Sequence, residues 1–227
     1  MDRYSFLYAY VLAGACYLAA AVFHLEWLEW ISKPLIMLAL GLYYLKSQKE
    51  LAQRGSRPLL GAIVFSLAGD VLLLGQRQGE VFFLAGLVSF LLAHGCYFFA
   101  LRQHRGALQE GFYGTQKFRF AFPIVLAGTG LYTILYPHLG SLKGAVLCYT
   151  VVIMAMAIQA LFRFGHTHAK SFWMVLAGAC LFMASDGILA VDKFMAPLAY
   201  GDVLVMASYL GAQYLLVEGL MQHQKKT

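Results

Sequence analysis

The chain has 227 residues, 61% of them apolar, 15% aromatic and only 12% charged, with a net charge of +6. A soluble domain carries about 25% charged residues, so this composition excludes a water-facing surface over most of the molecule and makes the bilayer its main solvent. Asn is absent, which fits few solvated turns, and the length suits a single helical domain over residues 1–227 built from spans of ~20 residues.

Taken in chain order, the apolar runs predict eight transmembrane helices near 5–23, 30–46, 58–76, 81–101, 120–137, 143–163, 171–191 and 198–220. The first run, Tyr4 to Phe23, has no formal charge. It is longer than the apolar core of a signal peptide and reads as a retained span. In the second run only Pro34 to Leu45 is uncharged, so it spans with Lys33 at its outer edge or snorkelling. Trp27 and Trp30, with Glu26 and Glu29, read as an outer interfacial belt. Runs 81–101 and 144–162 hold no formal charge. Between the fourth and fifth spans, 102–119 is the longest connection; it contains Gly106, Gly111 and Gly114 and reads as a cytoplasmic loop.

Basic residues cluster between the runs, which is the pattern of membrane orientation and not of a nucleic-acid surface. With the N-terminus inside, thirteen fall on the cytoplasmic side: Arg3, Lys46, Lys49, Arg54, Arg57, Arg102, Arg105, Lys117, Arg119, Arg163, Lys170, Lys225 and Lys226. Four fall outside: Lys33, Arg77, Lys143 and Lys193. The bias predicts N-in and C-in, and short loops point to a bacterial inner membrane. Cys16, Cys96, Cys148 and Cys180 all sit in apolar runs without metal-ligand spacing, so they read as buried thiols and not as disulfides or zinc ligands.

A short internal echo links SLAGDVLLL (66–74) with FMASDGILA (182–190), and spans two and six each begin near a lysine, Lys33 and Lys143. The echo suggests two similarly oriented four-helix halves. The fold class expected is therefore all-α: a polytopic integral membrane protein of eight helices.

Asp70 and Asp186 lie inside spans three and seven. A carboxylate at mid-membrane costs roughly 2.5–3.5 kcal/mol on insertion scales, so such residues face the protein interior and usually act there. On the inferred orientation both fall in the outer half, level with Asp202 at the start of span eight and Lys33 at the start of span two. Asp202, Tyr209 and Gln213 share one helical face, and Ser66 shares the face of Asp70 one turn away. His94 lies deeper, within span four. Each has a plainer reading: Lys33 as a structural ion pair, Asp202 as a solvated interfacial charge, and His94, Tyr209 and Gln213 as helix–helix contacts. His166 and His168 form an H-x-H without a nearby carboxylate, which disfavours a metal, and no cofactor is expected. The two aspartates suit acid–base chemistry: one held as the neutral acid donates a proton while the ionised other activates water or stabilises a cation.

At these residues the sequence resembles the lysoplasmalogenase, or YhhN-like, family of eight-span membrane proteins. The resemblance rests on Lys33-Pro34, on SLAGDVLLL (66–74), on FLAGLVSFLLAH (83–94), on ASDGILAVDKF (184–194) and on the last span through Tyr209 and Gln213. It covers most of the chain from span two onward. What it implies is hydrolysis of the vinyl ether bond of a lysoplasmalogen, giving a fatty aldehyde and a glycerophospho-alcohol, with a lysophospholipid as substrate and the bilayer as partner. The family's catalytic residues are not carried over, so Asp70 and Asp186 remain catalytic candidates on chemical grounds alone. Lys33, Ser66, His94, Asp202, Tyr209 and Gln213 are candidates for binding substrate or water. Two other classes stay open: a proton-coupled transporter, and a metal-dependent membrane lipid hydrolase of the alkaline ceramidase type. The transporter draws on the buried carboxylates and the two-half echo. The ceramidase type wants a convergent His cluster that the spacing does not offer.

Overall fold

A computed structural model describes residues 2–51, 55–104 and 111–224. Among them the regular structure is helical throughout: α1 (Arg3–Phe23), α2 (Glu26–Glu50), α3 (Arg57–Leu74), α4 (Glu80–Gln103), α5 (Thr115–Leu135), α6 (Lys143–Leu161), α7 (Ala169–Phe194) and α8 (Gly201–Gln224), with short 3-10 turns after α3 and between α5 and α6. All eight are long and apolar enough to cross a membrane. Even the shortest, α3 with 18 residues, is about 27 Å long at 1.5 Å per residue, close to the hydrocarbon thickness. Tyr8, Val81 and Phe118 are 72%, 75% and 81% exposed. Such apolar surface on helices of this length and hydropathy suits a lipid environment, and the chain is an integral membrane protein. Of the loop features expected above, Gly106, Arg54, Arg105, Lys225 and Lys226 lie outside the described residues.

The chain divides into two compact units, residues 1–100 and 101–227. The first carries α1 to α3 and most of α4. The second carries α5 to α8. A shift of 116 positions, the separation of Asp70 from Asp186, lays every helix of the first unit on its counterpart in the second to within about five residues at each end. The correspondence extends the echo of SLAGDVLLL and FMASDGILA to whole helices, but it lays Lys33 on Tyr149 and not on Lys143, so the two lysines are not counterparts.

In the first unit, α1 buries Tyr10, Ala13, Gly14, Tyr17 and Ala20, a three-and-four spacing that makes one face. His24 closes α1 in the left-handed region at φ 56°, and the Leu25 N–H returns to the Ala20 carbonyl, so the chain reverses at once into α2. The α2–α3 corner is held by Tyr44, whose hydroxyl accepts from Ser56 N at 2.8 Å. Ser56 in turn caps α3, its side chain accepting from Leu59 N, with Pro58 in the first turn. The α3–α4 hairpin is tied by Ser89 Oγ donating to the Phe65 carbonyl at 2.9 Å.

In the second unit, Leu135, Leu139 and Val146 form a small core that Val191 and Phe194 of α7 complete. The α7 and α8 backbones of the α7–α8 hairpin approach each other closely. A Cβ on Gly178 would lie 3.0 Å from Leu216 N, and one on Gly219 would lie 3.1 Å from Val175 N, so the two backbones nearly touch. Small residues permit this approach, which in lipid replaces the hydrophobic drive to associate. Ser185 Oγ donates to the Val205 carbonyl at 2.9 Å and Ser171 Oγ to the Gly219 carbonyl at 2.6 Å. Arg163, expected as an ordinary loop charge, is fully buried and donates to Ser171 Oγ at 3.0 Å. The loop after α6 is thereby fastened to α7, and through Ser171 to α8.

Candidate functional site

Asp70 stands on α3 four residues before its end and is 2% exposed. Ser66, one turn earlier, is fully buried on the same face, as their spacing requires. Beside Asp70, Gly69 has no room for a side chain: a Cβ there would meet the Phe90 ring at 2.6 Å. The aspartate is therefore presented from a turn pressed against α4. His94, on α4, is also fully buried.

The second helix begins at Glu26, not near residue 30, so Lys33 sits two turns inside the helix. It is 8% exposed, and its Nζ lies 5.5 Å from the centre of the Tyr17 ring on α1. The ring face is electron-rich and attracts the ammonium. The extra turn carries Glu26, Trp27 and Glu29, which α2 absorbs because Trp27 and the adjoining Trp30, 63% and 45% exposed, face outward where an interfacial side chain belongs.

In the second unit, Asp186 is half-buried on α7. Tyr149 of α6 donates its hydroxyl hydrogen to Asp186 Oδ2. One turn before Asp186, Phe182 is fully buried and meets the Tyr209 ring edge to face, with centroids 5.5 Å apart and planes at 87°. Tyr209 and Gln213 on α8 are 3% and 0% exposed. Asp202, although on their face by spacing, is exposed in the first turn of α8, where its charge meets the positive end of the helix. Among the described residues no group of three or more His, Cys, Asp or Glu is arranged to hold a metal ion. A cavity of about 40 Å³ between Phe112, Lys117, Phe162 and His166 contains none of the candidate residues.

Tyr149 is the residue that sequence reading passed over. A signal for it existed: it precedes Asp186 by 37 residues, and Lys33 precedes Asp70 by the same number. The spacing was visible only by placing one half of the chain on the other.

The model of the YhhN family matches residues 28–220, which include every candidate named above. The chain belongs to the YhhN family. This YhhN chain is similar to lysoplasmalogenase TMEM86A of Bos taurus, 32% identical over 186 residues that cover 80% of this chain and 70% of that protein. The human TMEM86A lysoplasmalogenase is 33% identical over 187 residues, with the same coverage. A lysoplasmalogenase of Mycobacterium tuberculosis is 29% identical over 170 residues, covering 73% of this chain and 61% of that protein. No solved structure matches. Relatives so named, from mammals and mycobacteria, make a lysoplasmalogenase-like hydrolase the function that family membership supports.

Proposed function

We propose that the protein hydrolyses the vinyl ether bond of lysoplasmalogens, with Asp70 and Asp186 as its catalytic carboxyls. The observation that carries the reading is a pair of aspartates, one in each unit, held within apolar membrane-spanning helices of a YhhN-family chain. Vinyl ether chemistry explains why carboxyls suffice. The bond resists base, but protonation of its β-carbon gives an oxocarbenium ion stabilised by the ether oxygen. A neutral carboxylic acid supplies that proton. An ionised carboxylate steadies the cation and takes a proton from the attacking water. The hemiacetal then collapses, breaking the bond from its former vinyl carbon to the glycerol oxygen and releasing fatty aldehyde and glycerophospho-alcohol.

Ser66, His94, Tyr209 and Gln213, all buried, are proposed hydrogen-bonding contacts for substrate or water. Lys33 is the proposed cation for the head-group phosphate. Asp202, being exposed, is proposed to meet the head group from the water side.

The test is aldehyde release by detergent-purified protein from lysoplasmenylethanolamine, with the ester-linked lysophospholipid as control. The expected result is turnover of the vinyl ether and none of the ester, which has no vinyl carbon to protonate. Equal cleavage of both would replace this chemistry with ordinary ester hydrolysis. Should the protein instead move protons or solute across liposomes without consuming lipid, the transporter reading would take its place.

The orientation proposed is N-in and C-in, in a bacterial inner membrane. A fluorescent protein fused at the C-terminus is expected to fluoresce, and alkaline phosphatase at the same place to stay inactive. The reverse pair of results would invert the topology.

A further inference from the structure

We propose that Tyr149 is a positioning residue for Asp186, its hydroxyl holding one carboxyl oxygen so that the other meets the reacting lipid or water in a single orientation. The role rests on the hydrolase reading above and deepens it.

The turn of α7 that carries Asp186 is already fastened without Tyr149. Ser185, the preceding residue, bonds the Val205 carbonyl of α8 at 2.9 Å. Phe182, one turn earlier, is fully buried against the Tyr209 ring. These contacts fix where the backbone of Asp186 stands, one step removed from the carboxyl itself. Tyr149 approaches from α6 and bonds Oδ2 itself. A phenol is suited to this task, since its ring packs as an apolar body within the span while its single hydroxyl fixes a direction. A carboxyl held in this way loses little orientational freedom on reaching the transition state, and positioning of that kind lowers barriers.

The repeat offers a second, independent observation. The residue 37 positions before Asp70 is Lys33, which is 8% exposed inside α2. Each unit thus sets a buried or half-buried polar side chain on its second helix at the same distance along the chain from the aspartate of its third. Packing alone would favour an apolar residue at this place, and neither half has one.

The plainer alternative is that Tyr149 merely holds α6 to α7, as polar side chains do between membrane helices. Tyr149→Phe separates the two, because it keeps the ring and deletes only the hydroxyl. The measurement is aldehyde release against pH for wild type and variant, with melting of both followed in detergent. The expected result is a kcat lower by roughly tenfold or more, less than the 10²–10⁴ that loss of an acid–base group itself costs, with KM within about threefold, a displaced pH–rate profile and near-normal melting. Wild-type kcat with an unmoved profile would overturn the role, as would a loss confined to KM.

If Tyr149→Phe does not fold, 3,5-difluorotyrosine placed at position 149 preserves shape and hydroxyl while making the phenol more acidic. A displaced profile then supports the role, and an unmoved one overturns it. A wild-type protein that releases no aldehyde would remove the hydrolase reading and this role with it, a result distinct from a Tyr149 variant that behaves like an active wild type.

Discussion

Asp70→Asn and Asp186→Asn, each purified in folded form, are expected to release aldehyde at least ~100-fold more slowly than wild type, with most of the loss in kcat. Asparagine copies the size and most of the hydrogen bonding of aspartic acid. It cannot donate an acidic proton to carbon, and it carries no charge to steady an oxocarbenium ion. The two substitutions therefore remove the chemistry while sparing the packing around Asp70, which is 2% exposed, and around Asp186, whose Oδ2 accepts from Tyr149. Melting close to wild type would attribute the loss to the reaction and not to the fold. Near-normal turnover by both variants would end the proposal that these carboxyls are catalytic. The path also sets where oxygen goes: water attacks the vinyl carbon, so in H₂¹⁸O the glycerophospho-alcohol is expected to emerge unlabelled. Label in that product would show cleavage on the other side of the ether oxygen.

Gly219→Leu is expected to cost the most in stability. A Cβ at Gly219 would stand 2.8 Å from Val175 Cγ2, 3.0 Å from Met174 Cβ and 3.1 Å from Val175 N. The last contact is backbone, which cannot rotate aside. Overpacking of this kind costs about 1–3 kcal/mol. Here it would also pull the Gly219 carbonyl from Ser171 Oγ, now 2.6 Å away, and so loosen the hold of Ser171 on Arg163. The expected readout is a lower melting midpoint, with aggregation of part of the purified material, and a smaller effect for Gly219→Ala. A leucine variant that melts like wild type would show that α7 and α8 are not so closely pressed.

Much of the fold could be read in advance because a membrane span is a local property. Without water to satisfy the backbone, a segment in hydrocarbon must be helical and about 20 residues long. Apolar runs therefore located all eight helices, and the errors lay at their ends. The apolar run predicts a second span over 30–46, whereas the helix extends from Glu26 to Glu50, because charged and interfacial residues can continue a helix beyond the hydrocarbon. Asp70 and Asp186 were legible for the same reason: a carboxylate inside an apolar run stands out in one dimension.

What lay beside each of these residues was not legible. Helical spacing tells which side chains share a face, as with Ser66 and Asp70, but not which neighbouring helix that face meets. That Tyr149 reaches Asp186, that Lys33 rests over Tyr17, and that Arg163 is buried against Ser171 are facts of packing between helices. By itself, the sequence determined the number and place of the helices and which residues are out of character with lipid. Only the tertiary structure decided their partners, since a partner depends on rotation and close approach of whole helices, and small residues such as Gly178 and Gly219 set that approach without any polarity signal to announce it.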